Sequence, residues 1–351
     1  MLVRVAPLLA ILGILVAPLC FACGTLGLEE TDVPRTDNYS VTQATGVTVL
    51  NGDLNGDIRV ETWGKDYVEL TWTRSTTWGK PELEKAEVKV TQANGRLDIE
   101  GKLLSKDAKV SVDYEIKLPK NALLTKVTSG NGNIKIDGTS GDTIVTARLG
   151  NISVRNTAGY LDITAEKGKI RLEGTTGGAR LTTSEDAIEV VNADGDITAT
   201  NSKGDITLND CKGNLTLQNS VGGIHVSNLQ GCVLLAKTKR GPVSIKRATA
   251  VEVVETSDDD VRVEISSVGV KGTVVSVHTG SISLYLASGI NADIEMETSS
   301  GDILTHSFGG ITTSGDATEG HVKGTIGSGG YKISLNTSKG NIELSRSEAT
   351  S

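Results

Sequence analysis

The chain repeats itself every eighteen residues, and no other property restricts its fold so tightly. Across residues 132–222, Gly132, Gly150, Gly168, Asp186, Gly204 and Gly222 each stand two residues before an isoleucine: Ile134, Ile152, Ile170, Ile188, Ile206 and Ile224. A weaker series, Gly141, Gly159, Gly177, Gly195, Gly213 and Gly231, falls nine residues after the members of the first. Each repeat therefore has two similar halves.

Within each half the apolar side chains stand two and four residues after the glycine, as in Ile134 and Ile136, Ile152 and Val154, Leu161 and Ile163, or Leu215 and Leu217. Small or polar residues lie between them, which is the alternation of a strand with one buried face. Glycine next to Asn, Asp, Ser or Lys supplies a tight corner before each strand. A fixed period of this length predicts a parallel β-solenoid with about 18 residues and two short strands per coil. One coil buries about four aliphatic side chains worth roughly 1.5–3 kcal/mol each. Ordering its backbone costs about 1–2 kcal/mol per residue. A lone coil cannot stand, so the array is stable only as a stack with capped ends.

Composition agrees with thin coils filled by Ile, Val and Leu: 41 glycines and 3% aromatics in 351 residues. The formal net charge is −8, and the sequence shows no stripe of Lys and Arg. That balance argues against a nucleic-acid partner.

Residues 1–22 carry one positive charge, Arg4, and an apolar run interrupted by Pro7 and Pro18. They read as an export signal, too short for a comfortable membrane span. Phe21-Ala22-Cys23 resembles the bacterial lipobox, with Cys20 where leucine is usual; the resemblance implies lipidation of Cys23 and attachment to a membrane. An ordinary cleaved signal and a retained anchor are the alternatives, and the choice of inner or outer membrane stays open. Residues 23–39 are polar and read as a tether. Residues 40–125 read as an N-terminal β-rich cap, with a helical turn at Pro81 and a core widened by Trp63, Trp72 and Trp78; a surface ligand platform is the alternative reading of these three tryptophans. Residues 126–347 read as the solenoid, about eleven coils, and 348–351 as a tail. Beyond Gly222 the repeat loosens to steps of 19, 18, 21 and 21 residues at Gly241, Asp259, Gly280 and Gly301. The last strands, from Ile333 to Leu344, are expected to close the array.

Three segments resemble a bacterial family of putative adhesins with β-strand repeats, a domain of unknown function. They are Asn55-Gly56-Asp57-Ile58-Arg59-Val60-Glu61-Thr62-Trp63, then Val112-Asp113-Tyr114-Glu115-Ile116-Lys117-Leu118-Pro119, and the closing Thr337-Ser338-Lys339-Gly340-Asn341-Ile342. The resemblance covers nearly everything after the tether and implies an exported or surface protein. It carries no catalytic residues.

Candidate chemistry is sparse. His225, His278, His306 and His321 are scattered without metal-ligand spacing. Asp258-Asp259-Asp260 is the densest carboxylate group, read as a solvated corner rather than a cation site. The Asn or Asp directly after a corner glycine, as in Gly204-Asp205-Ile206, lacks the register of a calcium-binding β-roll. Thr198, Thr207 and Thr216 hint at an outward threonine rank, but they fall on alternate halves of the repeat. Cys211 and Cys232 are offset by three residues on adjacent coils, about 10 Å along a strand, too far for an unstrained disulfide. The sequence thus predicts no cofactor, no metal and no catalytic site. It reads as an exported, lipid-anchored adhesin or interaction scaffold whose polar face meets a surface polymer or protein. A polysaccharide-acting β-helix enzyme and a structural or stress-related envelope component are the alternatives.

Overall fold

The structure, a computed structural model, describes residues 29–41, 45–305, 311–313 and 320–347. Cys23, the signal, His306 and the tail lie outside the described residues. The chain is a parallel β-solenoid. One wall, which we call the isoleucine wall, stacks the short strands Ile134–Asp137, Ile152–Arg155, Ile170–Glu173 and Ile188–Val191 and continues through Ile206–Lys212. The other, the threonine wall, stacks Leu123–Asn131, Thr143–Leu149, Leu161–Lys167, Ala179–Glu185 and Ile197–Lys203. Residues eighteen apart pair in register: Ile134 with Ile152, Ile152 with Ile170, Ile170 with Ile188, and so on to Ile224. All six of these isoleucines are fully buried. Each full burial is worth roughly 1.5–3 kcal/mol.

The corner glycines explain why the period is strict. Gly150 has φ +133°, and a Cβ there would stand 2.2 Å from the carbonyl oxygen of Gly132 in the coil below. Gly132, Gly168, Gly204 and Gly222 meet their neighbours in the same way. Asp186 takes this corner with φ 82°, and its carboxylate accepts the N–H of Ala187 at 2.8 Å. The Asn or Asp after the corner has a separate task. Asn133 Oδ1 accepts the N–H of Asn151, Asn151 Oδ1 that of Lys169, and Asp205 Oδ1 that of Gly223. Each side chain thereby satisfies a backbone donor on the next coil, which would otherwise be an orphan.

Inside the same corner runs a ladder of buried polar residues. Thr183 Oγ1 donates to Gly168 O, Asn201 Nδ2 to Asp186 O and Gly204 O, Asn219 Nδ2 to Gly204 O, and Thr238 Oγ1 to Gly222 O. The coil also has a short third side. Gly138, Asn156, Gly174, Asn192, Asp210, Asn228 and Arg247 turn it with φ between 52° and 76°, a conformation that Gly, Asn and Asp tolerate best. Behind that turn Thr139, Thr157, Thr175, Ala193, Cys211, Leu229 and Ala248 are buried. Cys211 pairs in register with Leu229, and Cys211 and Cys232 are both free thiols.

Chain order and spatial order part company at both ends. The first coil, Gly46–Asn55 with Ile58–Trp63, lies between Arg96–Leu103 with Ser111–Pro119 on one side and Leu123–Asn131 with Ile134–Asp137 on the other. The last coil, Lys332–Lys339 with Ile342–Arg346, does not close the array as the sequence suggests. It is inserted between Thr273–Thr279 with Ile282–Leu286 and Ala292–Thr298 with Ile303–Leu304. Among the described residues this gives thirteen coils, eleven of them from Leu123–Asn131 onward. At about 4.8 Å per coil the stack is roughly 60 Å long.

The ends are sealed by antiparallel strands and a turn. Tyr67–Thr76 runs antiparallel to Ser111–Pro119, Ala86–Ala93 to Arg96–Leu103, and His321–Ile326 to Ala292–Thr298. The 3-10 turn Lys80–Lys85, opened by Pro81, connects the two walls at the N-terminal tip and buries Leu83. Part of the expected tether is structured: Glu30–Thr31 and Arg35–Ser40 pair antiparallel with Tyr67–Thr76. They cover what would be an open edge, and Asp32 binds the buried guanidinium of Arg74 at 2.6 Å. Only one of the three tryptophans expected in the cap core is there. Trp72 is buried, whereas Trp78 is 71% exposed. Trp63 is half-buried and packs edge-on against Tyr67.

Two outcomes test this architecture. Gly150→Ala adds backbone strain and overpacking of roughly 1–3 kcal/mol each, so urea unfolding should show a clear loss, about 2–6 kcal/mol. Gly64→Ala, whose Cβ meets nothing within 4 Å, should leave the midpoint where it was. Truncation after Gly330 removes the inserted coil and uncovers the facing walls at Ile282, Ile294 and Met296. It should raise binding of a hydrophobic dye and lower the melting temperature, and a truncated chain as stable and as dye-silent as the parent would contradict the topology.

Candidate interaction face

The two walls present different chemistry to solvent. Outward positions of the isoleucine wall carry several ion pairs. Arg171 bridges Glu189 at 2.9 Å and Glu173 at 3.1 Å, Lys169 also reaches Glu189, and Arg59 pairs with Glu61 at 2.9 Å. Exposed pairs of this kind contribute little to stability. His225 sits half-buried on this wall. Its register neighbours are Thr207 and Ser244.

The threonine wall is different. Thr128, Thr146, Thr164, Thr182 and Thr200 stand in one register column, each half-exposed. The column continues through Gln218, Lys237, Glu255, Ser276, Asn336 and Glu297. Sequence reasoning missed it by following Thr198, Thr207 and Thr216. The structure splits those three, placing Thr198 and Thr216 side by side on the threonine wall and Thr207 on the other. The signal was present, because five threonines stand eighteen residues apart.

Toward the C-terminal end this column and the next outward one border a trough of about 460 Å³. One side is Lys237, Glu255, Ser276, Asn336 and Glu297; the other is Lys239, Ser257, His278, Ser338 and Ser299. Lys237 and Glu255 form an ion pair across adjacent coils. Asn336 and Ser338 come from the inserted last coil, so the middle of the trough exists only because that coil is intercalated. Its hydroxyls, amide and ammonium groups suit hydrogen bonding to a polar polymer.

The remaining sequence candidates lie apart. Asp258, Asp259 and Asp260 are exposed at a corner, where Asp260 Oδ1 accepts the N–H of Ser281 at 2.8 Å. His321 lies 3.5 Å from Glu295, which also pairs with Lys332. Among the described residues no three His, Cys, Asp or Glu side chains gather as a metal site.

Parallel coils of two pleated walls with glycine corners and sealed ends define a β-solenoid of the stacked-rack type. The Toastrack DUF4097 family profile matches residues 49–230, and the chain belongs to that family. No curated protein matches it. Among solved structures it is similar to a putative cell adhesion protein from Clostridium sporogenes, at 11% identity over 90% of this chain and 100% of that one, with a TM-score of 0.19. A putative adhesin from Bacteroides fragilis shares 14% identity over 90% and 97%, with a TM-score of 0.28. A putative lipid binding protein from Parabacteroides distasonis shares 10% identity over the same spans, with a TM-score of 0.29.

The charge cluster on the isoleucine wall gives a pH test. Hydrogen bonds from Lys169, and then from Arg171, outweigh partial burial and hold the Glu189 carboxyl below the usual glutamate range. A depressed folded-state pKa contributes stability that is present above the unfolded value and is lost as pH falls through the folded one. Glu189→Gln should therefore weaken the fold slightly at neutral pH, by less than about 1 kcal/mol for a pair this exposed. It should also flatten the acid limb of the stability curve measured by unfolding at several pH values; an unchanged acid limb would contradict the assignment.

Proposed function

We propose that this protein is an exported, non-catalytic interaction scaffold of the cell envelope, held to a membrane by a lipid on Cys23, which binds an extended surface polymer or protein along its threonine wall. The observation that carries the reading is the in-register column from Thr128 to Thr200 that runs on into the polar trough. A rigid rod repeats the same hydroxyl on five successive coils, so weak contacts to a repetitive partner add through effective concentration. The apolar segment ahead of Cys23 supports export, and the lipobox resemblance supports the anchor.

The test is binding of the protein, freed of its signal, to isolated envelope and cell-wall polymers. Saturable binding is expected, weakened at least about tenfold when Thr146, Thr164 and Thr182 are all changed to Asp, since losing 1.4 kcal/mol is a tenfold change. No binding, or binding indifferent to the triple change, would sink the assignment to this wall. Release of shortened glycans from the same polymers would instead favour an enzyme.

A further inference from the structure

The N-terminal tip differs from the rest of the rod. Trp78 is 71% exposed and Leu104 is 60% exposed, and both stand on loops next to the 3-10 turn Lys80–Lys85 at the tip. Those loops are tied together. Leu104 N donates to Lys85 O at 2.8 Å, Lys109 N donates to Glu82 Oε1 at 2.9 Å, and Thr76 Oγ1 donates to Lys109 O while lying 3.2 Å from Trp78 N. Val33, 83% exposed, lies on the turn between Glu30–Thr31 and Arg35–Ser40, the strands added outside Tyr67–Thr76 at this same tip. Exposed lysines, Lys80, Lys106 and Lys109, stand among them.

The chain leaves the structure at this tip. Glu29 and Trp78 line one groove of about 310 Å³ together with Ser75, Lys109 and Ser111. Only six residues lie between Cys23 and Glu30, seven chain steps in all, and a fully extended chain spans at most about 3.6 Å per residue. A lipid on Cys23 thus holds the tip within roughly 25 Å of the bilayer surface. A tryptophan body is apolar and its N–H is polar, which is why tryptophan settles at the water–lipid boundary.

From this placement we infer that the tip rests on the lipid bilayer, with Trp78 and Leu104 entering its interface. The rod then stands away from the membrane and carries its trough at the outer end. The inference rests on the lipid anchor proposed above, and it goes beyond that anchor by assigning a second, non-covalent contact that sets orientation.

The full-length protein, purified from its own envelope, is added to or reconstituted in phosphatidylcholine–phosphatidylglycerol vesicles with bromine on the acyl chains. Trp78 should be quenched relative to plain vesicles, the quenching should vanish in Trp78→Ser and weaken in Leu104→Asp, and circular dichroism should show both variants folded. Mass spectrometry of the mature N-terminus reports separately whether Cys23 carries lipid. Lipidated protein without Trp78 quenching overturns the inference and leaves the anchor standing. Unlipidated protein that is still quenched removes the anchor but supports the bilayer contact, and unlipidated, unquenched protein removes both.

Discussion

At the glycine corners the backbone of one coil lies directly on the backbone of the next, with no room for a side chain between them. The contact between Gly150 and the carbonyl of Gly132 shows the constraint in its plainest form: a methyl group there would overlap the oxygen at 2.2 Å. Coil-to-coil hydrogen bonds need that closeness. Gly150 N donates to Lys167 O at 3.0 Å and Ile152 N to Lys169 O at 2.9 Å. Once the corner is fixed, residues eighteen apart must stack, and the isoleucine column, the Asn and Asp caps and the buried threonine ladder all follow from one register.

The same stacking that builds the core also builds the surface. A residue type repeated at one outward position becomes a column, and the chain uses its two walls differently. On the isoleucine wall a local cluster of opposite charges meets across coils, Arg171 with Glu173 and Glu189. On the threonine wall a column of five hydroxyls runs between outward positions that carry charge, Lys126, Asp162 and Arg180 on one side and Arg148 and Glu166 on the other, and leads into a trough that the last coil completes. The buried polar ladder meanwhile satisfies corner carbonyls from within, so the corner needs no outside partner for those groups.

Much of this was legible before any coordinates, because period and alternation are local signals. Ile134, Ile152 and Ile170 announce an inward column, and a strand cannot alternate otherwise with one face dry. The corner glycines were legible for the same reason. The third side was not, because Gly138, Asn156 and Gly174 share a backbone conformation rather than a hydropathy. The insertion of the last coil was invisible as well: its strand pattern fits any gap in the stack, and nothing local says which gap. The tip was misread in Trp78, since sequence alone does not tell a core tryptophan from one left in solvent beside the chain's exit.

Placing each terminal coil inside the stack gives both of its strands two neighbours and leaves the ends to segments covered by antiparallel strands, a common way of protecting sheet edges. Amide hydrogen exchange on the full chain tests this most directly. Residues Ile333, Leu335, Ile342 and Leu344 should exchange as slowly as Ile188 and Ile206 in the middle of the rod, although they lie in the last strands of the chain. If they exchange early, as the frayed end of a sequentially stacked solenoid would, the account of how this fold closes is wrong.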